Sequence, residues 1–382
     1  LFLKKFSFEP VFWLLIAGGA HAASLAWPFP TNAPNWLGLT PGQPVWWLQV
    51  LALAVLAWQL ESHESTPDTG KRAWQLAALY GWVFATIWLL GSFGWVYVAM
   101  HTYGGLHAGL AGMAALALAG FLALYYAIAC SLYVALRPSS PAWRPAFFAL
   151  CWLSAELARA SWLTGFGWGA TAYAHVDGPL AAYAPWLGVN GMTVLAAWLA
   201  FCMGTLGRQL MSRRWRSVAV FGGVVLTLGL LPVFYQALSS AMTASSGRLQ
   251  MTLLQGNIAQ GEKFEASTGV PQALQWYAEQ LQASGGSLVV APETAIPLLP
   301  QQLPAGYWQA LEERFASGQQ AALIGIPWGN FQQGYTNSVV GLKPGLTQPW
   351  RYDKHHLVPF GEFIPSLFKW FTELMNIPLG DF

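Results

Sequence analysis

The chain has 382 residues, of which 55% are hydrophobic and only 9% charged, against about 25% charged in an ordinary soluble domain. That composition, with a mean hydropathy of +0.41, excludes a wholly soluble protein. The net charge of +2 comes from basic residues spread over short loops, which leaves no electrostatic footprint for nucleic acid.

A helix needs about 20 mostly apolar residues to cross the hydrocarbon layer of a bilayer. Seven stretches qualify as spans: 11–27, 44–60, 75–99, 108–136, 146–163, 187–207 and 217–238. The first follows Lys4 and Lys5 without a small-residue cleavage site and reads as a retained span. Lys and Arg then recur after every second span: Lys71 and Arg72, Arg137 and Arg144, and Arg208 with Arg213, Arg214 and Arg216. The loops between carry none, so the positive-inside rule puts the N-terminus in the cytoplasm and everything after about Ser239 on the far side. Within the fifth span, Glu156 and Arg159 stand three apart. Mutual neutralisation on one helix face is the first expectation, with lipid-headgroup contact as the alternative.

From Arg248 charged residues return at soluble frequencies, which divides the chain into a membrane domain over 1–240 and a water-exposed domain over 248–382. In the latter, 248–257, 286–293, 321–328 and 335–342 read as strands, the first two of them buried, and 272–283 reads as an amphipathic helix. Strands alternating with helices imply a layered α/β domain.

Two places in this domain could carry chemistry. Glu293 stands where an apolar strand gives way to the turn PETAIP, a position from which a carboxylate can act as a general base, although a lone turn glutamate is usually only solvated. Lys354 lies in RYDKHHLVPFGEFIP among apolar residues, two histidines and Glu362, where an ammonium could stabilise an oxyanion. Adjacent His355 and His356 point apart and have no third partner at zinc spacing, so no metal or other cofactor is expected.

Together these segments resemble the nitrilase superfamily and, within it, the membrane-bound apolipoprotein N-acyltransferases. The resemblance rests on QGNIAQ (255–260), PETAIP (292–297), YTNS (335–338) and K-x-H-L-V-P-F-G-E (354–362), with SAELARASWLTGFGW (154–168) and HVDGPLAAYAPWLGVNG (175–191) in the membrane half. It implies a helical bundle followed by part of an α-β-β-α sandwich, in the inner membrane of a bacterium with the catalytic domain in the periplasm. By resemblance Glu293 is the general base, Lys354 the oxyanion residue and Glu362 their support. Gln260, Phe264, Asn337, Gly165 and Trp168 would line the substrate site, Asn337 in a structural role. Phe264 stands where the family carries a tryptophan, which weakens its expected role in a lid.

The implied reaction moves a fatty acyl chain from a membrane phospholipid, through a cysteine thioester, to the α-amino group of a diacylglyceryl-cysteine lipoprotein, the enzyme acting as a monomer. The family's cysteine follows the lysine in another strand-to-turn corner, and these 382 residues hold none there. Cys130, Cys151 and Cys202 all fall in apolar segments near the cytoplasmic side, so the expectation is a chain truncated before its nucleophile and inactive by itself. A non-catalytic lipid-binding scaffold and a membrane-tethered amidase are the alternative functions.

Overall fold

Runs of Leu, Ala, Trp and Phe without internal proline fold the first part of the chain into long helices. In the computed structural model residues 8–30, 38–62, 72–211, 215, 218–219, 221–228, 231, 245–259, 261–346, 348–358 and 362–363 are described. The chain forms two compact units, Leu1–Thr243 and Ala244–Phe382.

The first unit contains α1 (Phe8–Leu25), α2 (Trp46–Ser62), α3 (Ala73–Ser92), a short α4 (Gly94–Val98), α5 (Ala108–Leu136), α6 (Arg144–Ser161) and α7 (Ala184–Met211). These occupy the first six expected spans within a few residues; of the seventh, 221–228 is helical and much of the rest lies outside the described residues. The third span is shorter than expected. The weak helix formers Gly91, Ser92 and Gly94 let α3 stop at Ser92, and Phe93 turns inward onto Phe166 with ring centroids 4.6 Å apart. By length and apolar composition, three described helices suffice to cross a membrane: Ala73–Ser92, Ala108–Leu136 and Pro179–Leu206.

In a lipid environment apolar burial gives helices little reason to associate, so tight packing and internal polar bonds must hold them together. The packing centre is aromatic: Trp88 of α3 stacks on Trp152 of α6 at 5.8 Å, with Tyr126 and Phe84 against both. The polar bonds correct one expectation. Glu156 and Arg159 are both buried, yet among the described residues no ion pair joins them. Glu156 accepts from the main-chain N–H and hydroxyl of Thr171 at 2.9 and 2.5 Å and from Thr193 at 3.1 Å. Arg159 donates to the Tyr126 hydroxyl at 2.9 Å and to the carbonyls of Phe166 and Trp168 at 2.6 and 2.7 Å. Each charge satisfies loop groups that would otherwise be stranded in an apolar interior, which a pair closed on itself could not do.

The second unit is built on one sheet in the order β1 (Met251–Leu253), β2 (Leu288–Val290), β3 (Ala321–Asn330), β4 (Gly334–Leu342) and β5 (Trp350–Asp353). The first three strands are parallel and the last two antiparallel to their neighbours. Parallel strands need crossover connections, supplied by α8 (Gly269–Ala283) and α9 (Tyr307–Ala316). The apolar stripe Val270, Ala273, Leu274, Tyr277 and Leu281 of α8 joins Leu311 and Phe315 of α9 over Val289, Ile324, Ile326 and Val340 of the sheet. The strand expected to be buried at 248–257 contracts to three residues at a sheet edge, with Met251 51% and Leu253 71% exposed. Conversely β5, which was not among the expected strands, extends the sheet by pairing Ser338 with Asp353 and Gly341 with Trp350.

Candidate active site

Strand β2 delivers Glu293 to the mouth of the sheet. Beyond it the chain stays tied to β3, since Ala291 N–H donates to Leu323 and Ile296 N–H to Gly325, at 2.8 and 3.1 Å. Gly325 has to be glycine, because a Cβ there would sit 2.2 Å from the Pro292 carbonyl oxygen. Thr294 turns with φ +51°, the left-handed region that few non-glycine residues adopt and that recurs at functional sites.

The period of two along β4 does the rest. Asn337, opposite Pro327 of β3, faces Glu293, whereas its neighbours Thr336 and Ser338 bond Asp353 at 3.0 and 2.7 Å. Lys354 directly follows β5, its N–H donating to the Asn337 carbonyl at 2.8 Å, which sets its side chain opposite to that of Asp353.

The side chains converge. Lys354 Nζ donates to Glu293 Oε1 at 3.1 Å and to Glu362 Oε1 at 2.8 Å. The Asn337 amide donates to the same two carboxylates, to Glu362 at 2.8 Å. Glu362 Oε2 accepts the Val358 N–H at 2.7 Å, while the Glu362 N–H donates back to the Val358 carbonyl at 2.9 Å. Burial alone would lower Lys354, but its hydrogen bonds and attraction to Glu362 and Glu293 outweigh that and hold it above the usual lysine range. Burial alone would raise Glu362, but Lys354, the Val358 N–H and Asn337 hold it below the usual carboxylate range.

Glu293 is 59% exposed on its side chain, whereas Glu362 is only 12% exposed. The exposed carboxylate is thus open to reactants and the sheltered one anchors the lysine. An ammonium has three donors; two are used here, leaving one for an incoming oxyanion. Around them lies a cleft of about 640 Å³ whose walls include Lys263, Phe264, Pro297, Leu299, Phe331 and Tyr335.

Four of the expected site residues therefore line one cleft, Glu293, Glu362, Asn337 and Phe264, the last 60% exposed at its wall, and Lys354 is bonded to the first two. Gln260 lies outside the described residues. Gly165 and Trp168 belong to the first unit. Gly165 has φ +79°, and a Cβ would come within 2.1 Å of the Ala160 carbonyl oxygen, so the structure gives it a conformational role. Trp168, 41% exposed, packs edge-on against Trp95 at 5.6 Å, and its carbonyl is held by Arg159. Sequence reasoning missed Lys263, whose ammonium donates to the Glu293 carbonyl at 3.1 Å; its only signal was adjacency to Phe264.

The family model described as the apolipoprotein N-acyltransferase N-terminal domain matches residues 34–202. The apolipoprotein N-acyltransferase of Verminephrobacter eiseniae is 49% identical over 377 residues, covering 97% of this chain and 67% of the relative. The chain belongs to the apolipoprotein N-acyltransferase family. Two further members, from Ralstonia nicotianae and Bordetella bronchiseptica, are each 38% identical, over 88% and 97% of this chain and 62% and 69% of their own lengths. The chain thus spans about two thirds of the length of these N-acyltransferases. The similarity runs through both units, so the cleft around Glu293 lies within the shared region.

Proposed function

We propose that the whole protein transfers an acyl chain from a membrane phospholipid to the α-amino group of a diacylglyceryl-cysteine lipoprotein by way of a cysteine thioester. The observation that carries this reading is the convergence of Glu293, Lys354, Asn337 and Glu362 at one cleft of an N-acyltransferase-family chain.

In the first half-reaction Glu293 removes the proton of the nucleophilic thiol, and the thiolate attacks the ester carbonyl. Negative charge moves onto the carbonyl oxygen, where the remaining N–H of Lys354 meets it. The intermediate collapses by breaking the ester C–O bond, and the departing alkoxide takes the proton from Glu293 as lysophospholipid leaves. In the second half the lipoprotein amine attacks the thioester carbonyl, Glu293 accepts the amine proton, and the C–S bond breaks to give the amide. The proton on Glu293 then returns to the thiolate. Glu362 and Asn337 keep Lys354 charged and in place throughout. Residues 244–382 contain no cysteine, and Cys130, Cys151 and Cys202 lie in α5, α6 and α7 of the other unit. We assign the nucleophile to a thiol other than these three.

Seven spans in the bacterial inner membrane, a cytoplasmic N-terminus, a periplasmic nitrilase-type α-β-β-α sandwich and a monomeric enzyme complete the proposal. The alternation of basic loops supports the orientation. The test is to supply the full-length protein with a phospholipid labelled in its acyl chain and a diacylglyceryl-cysteine peptide. Label appearing in the peptide amide supports the proposal; label released only as free fatty acid overturns it in favour of an amidase-like hydrolase, and no turnover in favour of a scaffold.

A further inference from the structure

Two lysines stand at the cleft in different electrostatic situations, Lys263 on its wall and Lys354 bonded to two carboxylates that line it. Lys354 is shared between two carboxylates. Lys263 forms no ion pair among the described residues, although the Glu293 carboxylate attracts it: its ammonium donates to one neutral carbonyl, that of Glu293, and lies 5.7 Å from the centre of the Phe264 ring. Lys263 lines the cleft, and among the described residues only one of its three N–H donors is used.

Charge balance gives those donors a purpose. Glu293, Glu362 and Lys354 alone leave the cleft with one excess negative charge, which would repel an anionic substrate; Lys263 cancels it. Position supports the same conclusion. One residue holds both lysines, Lys354 by its carboxylate and Lys263 by its main-chain carbonyl, so their ammonium groups are separated by at most about 13 Å, the reach of one extended glutamate and two hydrogen bonds. In a glycerophospholipid the ester carbonyl and the phosphorus are joined through the glycerol, about 7 Å apart when extended. That span falls within the bound, so one donor molecule can reach both ammonium groups.

Resting on the acyl-transfer reading, we propose that Lys263 is the anion-binding residue of the cleft and takes the phosphodiester of the acyl donor while Lys354 meets the oxyanion forming at the donor's ester. Leu299, Pro297 and Phe331 supply the apolar wall beside it. Burial pulls Lys263 below the usual lysine range, with Glu293 opposing, so a bound phosphate would recover part of what burial costs this cation.

The experiment uses the full-length protein in detergent micelles with two donors carrying the same acyl chains, a phosphatidyl lipid and the matching diacylglycerol. The wild type should show the lower KM for the phosphatidyl donor. K263Q should raise that KM about tenfold, as expected for one charge-assisted contact, with kcat little changed and the preference over diacylglycerol gone, while K263R should restore it. Inorganic phosphate distinguishes the source of the anion: competition in the wild type but not in K263Q means the site accepts phosphate from either source, and absence of competition with the KM effect intact assigns it to the esterified headgroup. Equal KM increases for both donors would make Lys263 a loop staple, and unchanged KM values would make it a bystander; either overturns this proposal alone. A wild type that transfers no acyl chain overturns the acyl-transfer reading and this proposal with it.

Discussion

Lys354 and Asn337 are joined through both backbone and side chains: the Lys354 N–H donates to the Asn337 carbonyl at 2.8 Å, and both side chains donate to Glu362 Oε1 at 2.8 Å. The strand ladder therefore sets where the ammonium stands, and the carboxylate only has to hold it there. Asn337 also donates to Glu293, so one amide links Glu293, the proposed base, to Glu362, which anchors Lys354.

That linkage makes Asn337→Asp informative. The change keeps the shape but turns the donor into an acceptor and sets a third carboxylate against Glu293 and Glu362. Acyl transfer by the full-length protein should fall at least about tenfold in kcat with KM little changed. A KM effect alone would show that Asn337 contacts substrate instead of organising the base.

Glu362 and Lys354 couple folding to pH at opposite ends of the scale. The Glu362 pKa is depressed on folding, so its contribution is present above the usual 4.5 and is lost as pH falls through the lower folded value. The Lys354 pKa is raised, so its contribution is present below 10.5 and is lost as pH rises through the higher folded value. Thermal melts should show Glu362→Gln narrowing its stability difference from wild type only as acid is added below pH 4.5. A difference that stays constant down the acid limb would refute the assigned partners.

In the first unit, Arg159→Met removes a buried cation that fixes the Phe166 and Trp168 carbonyls. We expect roughly 3 kcal/mol of destabilisation and new proteolytic cleavage between Trp162 and Thr171. Gly165→Ala should act on the same loop, because its φ of +79° and the nearby Ala160 carbonyl leave no room for a methyl group. An unaltered digestion pattern in both variants would contradict the anchoring described.

Replacing Cys130, Cys151 and Cys202 together by alanine should leave acyl transfer within about twofold of wild type, since the reacting thiol is assigned elsewhere. Cys130 is fully buried between helices, so expression and melting temperature need to be checked in parallel. Loss of transfer in a well-folded triple variant would place the nucleophile in the helical unit.

Local patterns made part of this legible in the sequence. Apolar runs and basic loops located six helices, and a strand ending in PETAIP and the Lys354–Glu362 segment located the charged groups. What escaped depended on partners remote in sequence. The i, i+3 spacing of Glu156 and Arg159 allowed a shared helix face, but the carbonyls of Phe166 and Trp168 and the hydroxyl of Thr171 competed for them and won. Lys263 escaped notice because the carbonyl it binds belongs to a turn after the next helix and strand. The register that puts Asn337 on the cleft and Ser338 on Asp353 becomes visible only once β5 is known to be a strand.

The central claim is that Glu293 moves the protons and Lys354 holds the oxyanion. The most direct test is single-turnover acyl transfer from a labelled phospholipid to a diacylglyceryl-cysteine peptide by full-length wild type, Glu293→Gln and Lys354→Met, each confirmed as folded by its melting transition. Each substitution should slow transfer by about 100-fold or more, with thioester formation and its resolution both impaired in Glu293→Gln. Transfer at the wild-type rate by either variant would contradict it.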